Sequence, residues 1–200
     1  MILAASPALA APVALILDRA GKIAPPVEPY SEVSPGTRLK LERGARIEFL
    51  DYNSCTQVTE TGGEVDFSSS GYVAKGGVKS EERVACPQKL TLSRAGEISG
   101  NVLRGADSGI ELPTRPSLVL AGARRGDFVA IRILKDGIEI MHRPIANSHF
   151  NWPSAEKSLE HSSSYELDLV PAHGGALVKR TFQTASDDSQ PPTIVLLHVD

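Results

Sequence analysis

The chain of 200 residues holds two cysteines, one tryptophan, four tyrosines and five phenylalanines. Two thiols cannot by themselves build a multi-cysteine metal cluster. A Cys-x-x-Cys motif is missing, which removes the usual basis for thiol exchange. No apolar run approaches the roughly 18 residues that a membrane-spanning helix requires. No Lys/Arg block occurs, and 24 acidic side chains outnumber 21 basic ones for a formal net charge of −3. That balance argues against a protein that coats nucleic acid. Apolar stripes at i, i+3, i+4 and i+7 are also lacking, so long helices are not expected.

What is present suits a globular chain. Hydrophobic residues make up 41% and charged residues 22%, which excludes wholesale disorder. The length allows one large domain or two small ones. Seventeen glycines and fourteen prolines punctuate short segments of period-two hydrophobicity. In the first half these are Val13–Leu17, Thr37–Leu41, Arg46–Leu50, Gln57–Thr59, Glu64–Phe67 and Tyr72–Ala74. Turn signals lie between them at Pro35-Gly36, Gly44, Gly62-Gly63, Gly71 and Gly76-Gly77. In the second half, Ser117–Leu120, Phe128–Leu134, Ile138–Ile140, Tyr165–Leu169, Leu177–Phe182 and Thr193–Val199 read as strands. Asp136-Gly137 between two such runs is a strong hairpin signal. Short strands at this spacing predict an all-β chain of sandwich or barrel type. Between residues 93 and 115 the composition turns small and polar, which predicts a linker with at most one short strand near Ile98 or Val102.

The N-terminus carries Ala8-Leu9-Ala10 followed by Ala11-Pro12. The small-x-small triplet has the form that signal peptidase cleaves, although no basic n-region precedes it and the first cationic side chain is Arg19. Residues 1–12 are read as the remnant of a secretory signal; the alternative is an Ala-rich tail. Cys55 and Cys86 form an even pair, and an oxidising compartment would join them. Such a bond closes a loop of about 30 residues, worth roughly 3 to 4 kcal/mol in the chain-entropy account. The alternative is two independent buried thiols.

The first half resembles the FecR-type domain, a small all-β module of bacterial envelope proteins. The resemblance runs from Val13 to about Phe67. It rests on the opening strand, Val33-Ser34-Pro35-Gly36-Thr37-Arg38-Leu39, Gly44-Ala45-Arg46-Ile47-Glu48-Phe49 and the Gly62-Gly63-Glu64-Val65 turn. The family's Asp-Gly-Ser turn is replaced by Asp51-Tyr52-Asn53-Ser54, directly followed by Cys55. The membrane helix and cytoplasmic segment of FecR regulators have no counterpart, so transmembrane signalling is not carried over. From about Pro116 to Val199 the chain is similar to an immunoglobulin or fibronectin-III sandwich. Leu159-Glu160-His161-Ser162-Ser163-Ser164-Tyr165-Glu166-Leu167 is similar to the tyrosine-corner segment of those domains. The resemblance implies that the Tyr165 hydroxyl bonds backbone upstream, and that Trp152, on the strand entering the corner, is the core tryptophan. The expected organisation is a signal remnant over 1–12, a FecR-like β domain over 13–95, a linker over 96–115 and an Ig-like antiparallel β-sandwich over 116–200.

Catalytic and metal motifs are thin. His142, His149, His161, His173 and His198 form no His-Glu-x-x-His; His142 and His149 are the pair a hairpin would bring together. Ser68-Ser69-Ser70 and Ser162-Ser163-Ser164 read as loops, with no Gly-x-Ser-x-Gly elbow. Glu81-Glu82 and Asp187-Asp188 read as solvated turn carboxylates, Arg124-Arg125 as a basic corner, and Gly71–Gly77 as turns rather than a phosphate loop. Tyr30, Tyr52 and Tyr72 are the candidates for a sugar-stacking platform. The chain is therefore expected to be non-enzymatic and without a cofactor or metal. The expected role is a periplasmic or envelope accessory or scaffold protein that meets a protein partner, with strand addition as one recognition mode. An envelope glycan-binding module is the alternative, and a small β-scaffold hydrolase a third reading that requires Ser, His and an acid in one cleft.

Overall fold

The computed structural model describes residues 10–92, 111–187 and 194–199. The cleavage triplet, most of the expected linker, and Asp188 lie at least partly outside those residues. The protein is all-β, in two compact units divided after Val84. Among the described residues the helical content is a single 3₁₀ turn, Arg125–Asp127, and no helix is long and apolar enough to cross a membrane.

The first unit is a seven-stranded antiparallel sheet. Its strands are β1 (Ala14–Ala20), β2 (Ile23–Ala24), β3 (Glu32–Val33), β4 (Arg38–Asp51), β5 (Thr56–Ser68), β6 (Gly71–Lys75) and β7 (Val78–Arg83). The order is β3-β1-β4-β5-β6, with β2 added to β4 and β7 to β5. Two pairs of short strands expected from the sequence are in fact two long ones. Thr37–Leu41 and Arg46–Leu50 fuse into the 14-residue β4, and Gln57–Thr59 and Glu64–Phe67 into the 13-residue β5. The glycines between them bend the strands instead of reversing them. Leu41 faces Gly63 but Arg46 faces Thr61, so β4 carries a bulge at Gly44, where φ is +80°. Gly62 and Gly63, at φ +71° and +79°, shift the inward positions of β5 from Val58 and Glu60 to Val65 and Phe67. A Cβ on Gly63 would collide with the backbone of Lys75 and Gly77, so only glycine fits. The bent strands enclose one core, built on Leu39, Leu41, Ile47, Phe49, Val65 and Phe67. Each such side chain contributes roughly 1.5 to 3 kcal/mol by leaving water.

The second unit contains β8 (Gln88–Leu92), β9 (Glu111–Leu112), β10 (Ser117–Ala121), β11 (Phe128–Lys135), β12 (Ile138–Pro144), β13 (His149–Phe150), β14 (Ser164–Pro171), β15 (Val178–Thr184) and β16 (Ile194–Val199). One sheet has the order β13-β10-β16-β8, the other β12-β11-β14-β15-β9. Residues of both sheets share a single core, including Leu118, Leu120, Val195 and Leu197 from the first and Ile131, Ile133, Leu167 and Leu169 from the second. Asp136 and Gly137, at φ +52° and +78°, make the tight turn between β11 and β12, as their sequence requires.

Three expectations need correcting. The division lies earlier than residue 95, because β8 runs parallel to β16 from Gln88↔Val195 to Leu92↔Val199 and Leu90 packs on the second core. The sandwich also begins before Pro116: β9 pairs with β15, and Leu112 is buried. Trp152 lies in the segment after β13 rather than on a strand. It packs edge-on against Phe150 at 6.3 Å and covers the core from one side.

Candidate functional site

The exposed flank of the first unit is a sheet edge formed by β6 and β7. Both β6 and β7 pair with the same side of β5, from Ser68↔Gly71 to Glu64↔Lys75 and from Thr61↔Val78 to Thr56↔Arg83. They act as two halves of one strand kinked at Gly76-Gly77, so the glycines expected to form turns here serve a bend. A Cβ on Gly77 would meet the Glu60 carboxylate and the carbonyls of Thr61 and Gly62. Among the described residues nothing pairs with the outer side of β6 or β7. All six residues of β7 are exposed. Val73 and Val78 are 52% and 75% exposed, among the most open large apolar side chains described.

Backbone alternation fixes which groups this edge offers. The Val84 amide donates to the Cys55 carbonyl at 3.0 Å. In an antiparallel ladder alternate residues bond the same neighbour, so the amides of Glu82, Ser80 and Val78 face β5. Those of Lys79, Glu81 and Arg83 face outward.

Side chains stiffen the edge from its inner face. Lys79 Nζ lies 2.7 Å from Glu81 Oε1, and the Tyr72 hydroxyl donates to the same carboxylate. Lys79 and Tyr72 together hold Glu81 below the usual carboxylate range. Burial, with Glu81 beside it, pushes the Tyr72 phenol well up. The Tyr72 ring sits edge-on to Phe49 at 4.9 Å, which couples β6 to the core. Glu60, across from Ile47 and Lys79, is 1% exposed. Its Oε2 has no hydrogen-bond partner. Burial raises its pKa, and Lys79 opposes that shift.

The β4–β5 turn stands at the end of this edge. Asp51 Oδ2 accepts from the Ser54 amide at 3.0 Å and the Ser54 hydroxyl at 2.6 Å, and Cys55 takes a φ of +53°. Cys55 and Cys86 are joined in a disulfide, the bond expected from their number.

The remaining candidates are placed as follows. The Tyr165 hydroxyl accepts a hydrogen bond from the Glu160 amide at 3.0 Å, and its ring is buried and stacks on Phe182 at 5.6 Å. Tyr52 donates to Glu32 Oε1 at 3.0 Å, and Tyr30, Tyr52 and Tyr72 are all half-buried, so none is an open stacking platform. His142 and His149 stand on β12 and β13, which belong to different sheets. Among the described residues no group of three His, Cys, Asp or Glu side chains is arranged to hold a metal. Ser68 bonds the Gly71 carbonyl and Ser163 the His161 carbonyl, both as turn contacts.

One serine–histidine pair escaped the sequence reading. Ser117 Oγ lies 3.2 Å from His149 Nε2, but it donates to Asn151 Oδ1 at 2.9 Å. The serine hydroxyl directs its proton to Asn151 rather than to His149, unlike the hydroxyl of a serine nucleophile bonded to its base. Burial lowers the His149 pKa, with Asn151 opposing. The pair joins β10 to β13, two strands far apart in sequence, so no local motif announces it.

Compared with family models, curated proteins and solved structures, the chain matches none of them.

Proposed function

We propose that the protein is a non-enzymatic accessory or scaffold protein of the bacterial envelope, working in the periplasm through contact with a partner protein. The observation that carries this reading is the uncovered β6–β7 edge, with outward backbone groups at Lys79, Glu81 and Arg83 and open valines at 73 and 78. An extended segment of a partner would add to it as a further antiparallel strand, its backbone supplying affinity and its side chains specificity. The disulfide suits an oxidising compartment. A FecR-like identity for the first unit rests on the sequence resemblance. An Ig-like identity for the second is supported by the Tyr165–Glu160 bond and by the antiparallel run β12-β11-β14-β15. The glycan reading gains nothing from the half-buried tyrosines.

The test is photo-crosslinking from position 78 in intact cells of the native host, with a benzophenone side chain in place of Val78. A discrete adduct with one periplasmic protein is expected, and the same side chain at the buried Val65 gives none. Absence of an adduct from positions 73 and 78 alike overturns the reading. N-terminal sequencing and a thiol count on the recovered protein test the compartment: a start at Ala11 with both cysteines oxidised is expected.

A further inference from the structure

The second unit holds a cavity of about 510 Å³ at the end of β14, under the segment that leads to β15. Its volume lies within the range of small-ligand sites. Its lining combines polar side chains, Arg124, Asp127 and His173, with apolar ones, Pro171, Leu177 and Val178. Arg124 is held in position from two sides. Its Nε donates to Asp127 Oδ2 at 2.9 Å, and its guanidinium carbon lies 5.6 Å from the centre of the Phe128 ring. The frame around it is pinned by the Ala172 amide on the Asp127 carbonyl at 2.7 Å and the Arg124 amide on the Val199 carbonyl at 3.1 Å. Among the described residues, no bonded partner meets the two Nη atoms of Arg124 or the imidazole of His173. Gly174 and Gly175, at φ +70° and +147°, also line the cavity and bring no side chain into it.

We propose that this cavity binds a carboxylate carried on a short apolar group. The paired Nη donors of an immobilised guanidinium match the two oxygens of a carboxylate. His173 offers one more ring N–H, and the apolar side chains of the lining accept an aliphatic substituent. Asp127 is spent on Nε, and its charge makes a dianion such as phosphate a poorer fit than a monoanion. The carboxylate can come from a free small acid or from the C-terminus of a peptide, and both present the same group to Arg124. The site belongs to the second unit and does not depend on the strand edge.

The experiment is an amide NMR titration of the whole chain with sodium butanoate, butanamide, N-acetyl-Ala-Leu and the C-terminal amide of that dipeptide. Butanoate and the free dipeptide are expected to shift the Gly174 and Gly175 amides at millimolar concentration, and the two amides to leave them in place. Arg124→Gln is expected to weaken binding by about tenfold or more. Ala176→Phe fills the cavity while leaving the Arg124 bonds intact, and is expected to abolish binding; this second variant guards against local collapse in the first. Tighter binding of the dipeptide than of butanoate assigns the site to chain termini, and equal binding to free acids. The proposal is overturned if amides bind as well as acids, if both variants bind like the parent, or if no ligand shifts these amides.

Discussion

Replacing Glu60 by glutamine removes a buried charge and keeps the shape of the side chain. Glu60 is 1% exposed, on the core side of β5 beside Ile47, and its Oε2 finds no hydrogen-bond partner. The other carboxylate oxygen, Oε1, shares the space beside Gly77 with the carbonyls of Thr61 and Gly62, so an amide –NH₂ in the Oε1 position has acceptors at hand that a carboxylate cannot use. An unsatisfied buried polar group costs about 1 to 3 kcal/mol. Lys79 returns part of that, because its charge favours the carboxylate. A net gain of about 1 to 2 kcal/mol for Glu60→Gln at pH 8 follows. The sign with pH is fixed by the direction of the shift. A carboxyl whose pKa is raised on folding holds its proton more tightly in the folded state. Its contribution is therefore present at low pH and is lost as pH rises through the raised value. The variant should match the parent near pH 4 and exceed it increasingly up to a plateau. For a unit of this size the plateau corresponds to about 4 to 8 °C in Tm per kcal/mol. The assay is thermal unfolding followed by tyrosine near-UV circular dichroism across pH, because the single tryptophan, Trp152, belongs to the second unit. A pH-independent difference, or a loss of stability at pH 8, would show that the buried Glu60 charge does not destabilise the unit.

Three other substitutions probe the frame. Tyr165→Phe leaves the Glu160 amide without its acceptor and should cost about 1 to 2 kcal/mol, read by urea unfolding through Trp152 fluorescence. Gly63→Ala forces a Cβ against the Lys75 and Gly77 backbone at a φ of +79°; a loss of roughly 2 to 3 kcal/mol is expected in calorimetry. Cys86→Ser opens the disulfide and should lower stability by about 2 to 4 kcal/mol, and a reductant should shift the urea midpoint of the parent but not of the variant.

The features legible in the sequence were those encoded locally. Period-two stretches mark most of the longer strands, Asp136-Gly137 marks its hairpin, and two cysteines mark one bond. The ambiguity lay in the glycines. Gly44 and Gly62-Gly63 permit a left-handed backbone, but whether the chain then reverses or bends depends on the strands that flank it. Here the apolar positions on both sides of each glycine serve one core, so the strands continue. The strand β7 left no apolar signature because both of its faces are open, and Val78-Lys79-Ser80-Glu81-Glu82-Arg83 therefore reads as a polar loop. The same openness makes it the candidate edge. The strand β8 falls inside the 13–95 span expected for the first domain, yet its partner, β16, lies far along the chain, and parallel pairing leaves no local trace. Ser117, His149 and Asn151 converge for the same non-local reason.

Recognition at the proposed edge runs through the outward amides of β7. Proline at 81 removes an outward N–H, whereas proline at 80 removes one that bonds β5. With Glu81→Gln as the control for the lost carboxylate, the measurement is the yield of the position-78 adduct together with the thermal stability of each variant. Glu81→Pro is expected to abolish the adduct with little change in Tm, Ser80→Pro to lower the Tm by several degrees, and Glu81→Gln to keep the adduct. An undiminished adduct in a stably folded Glu81→Pro protein would rule out recognition through the β7 amides.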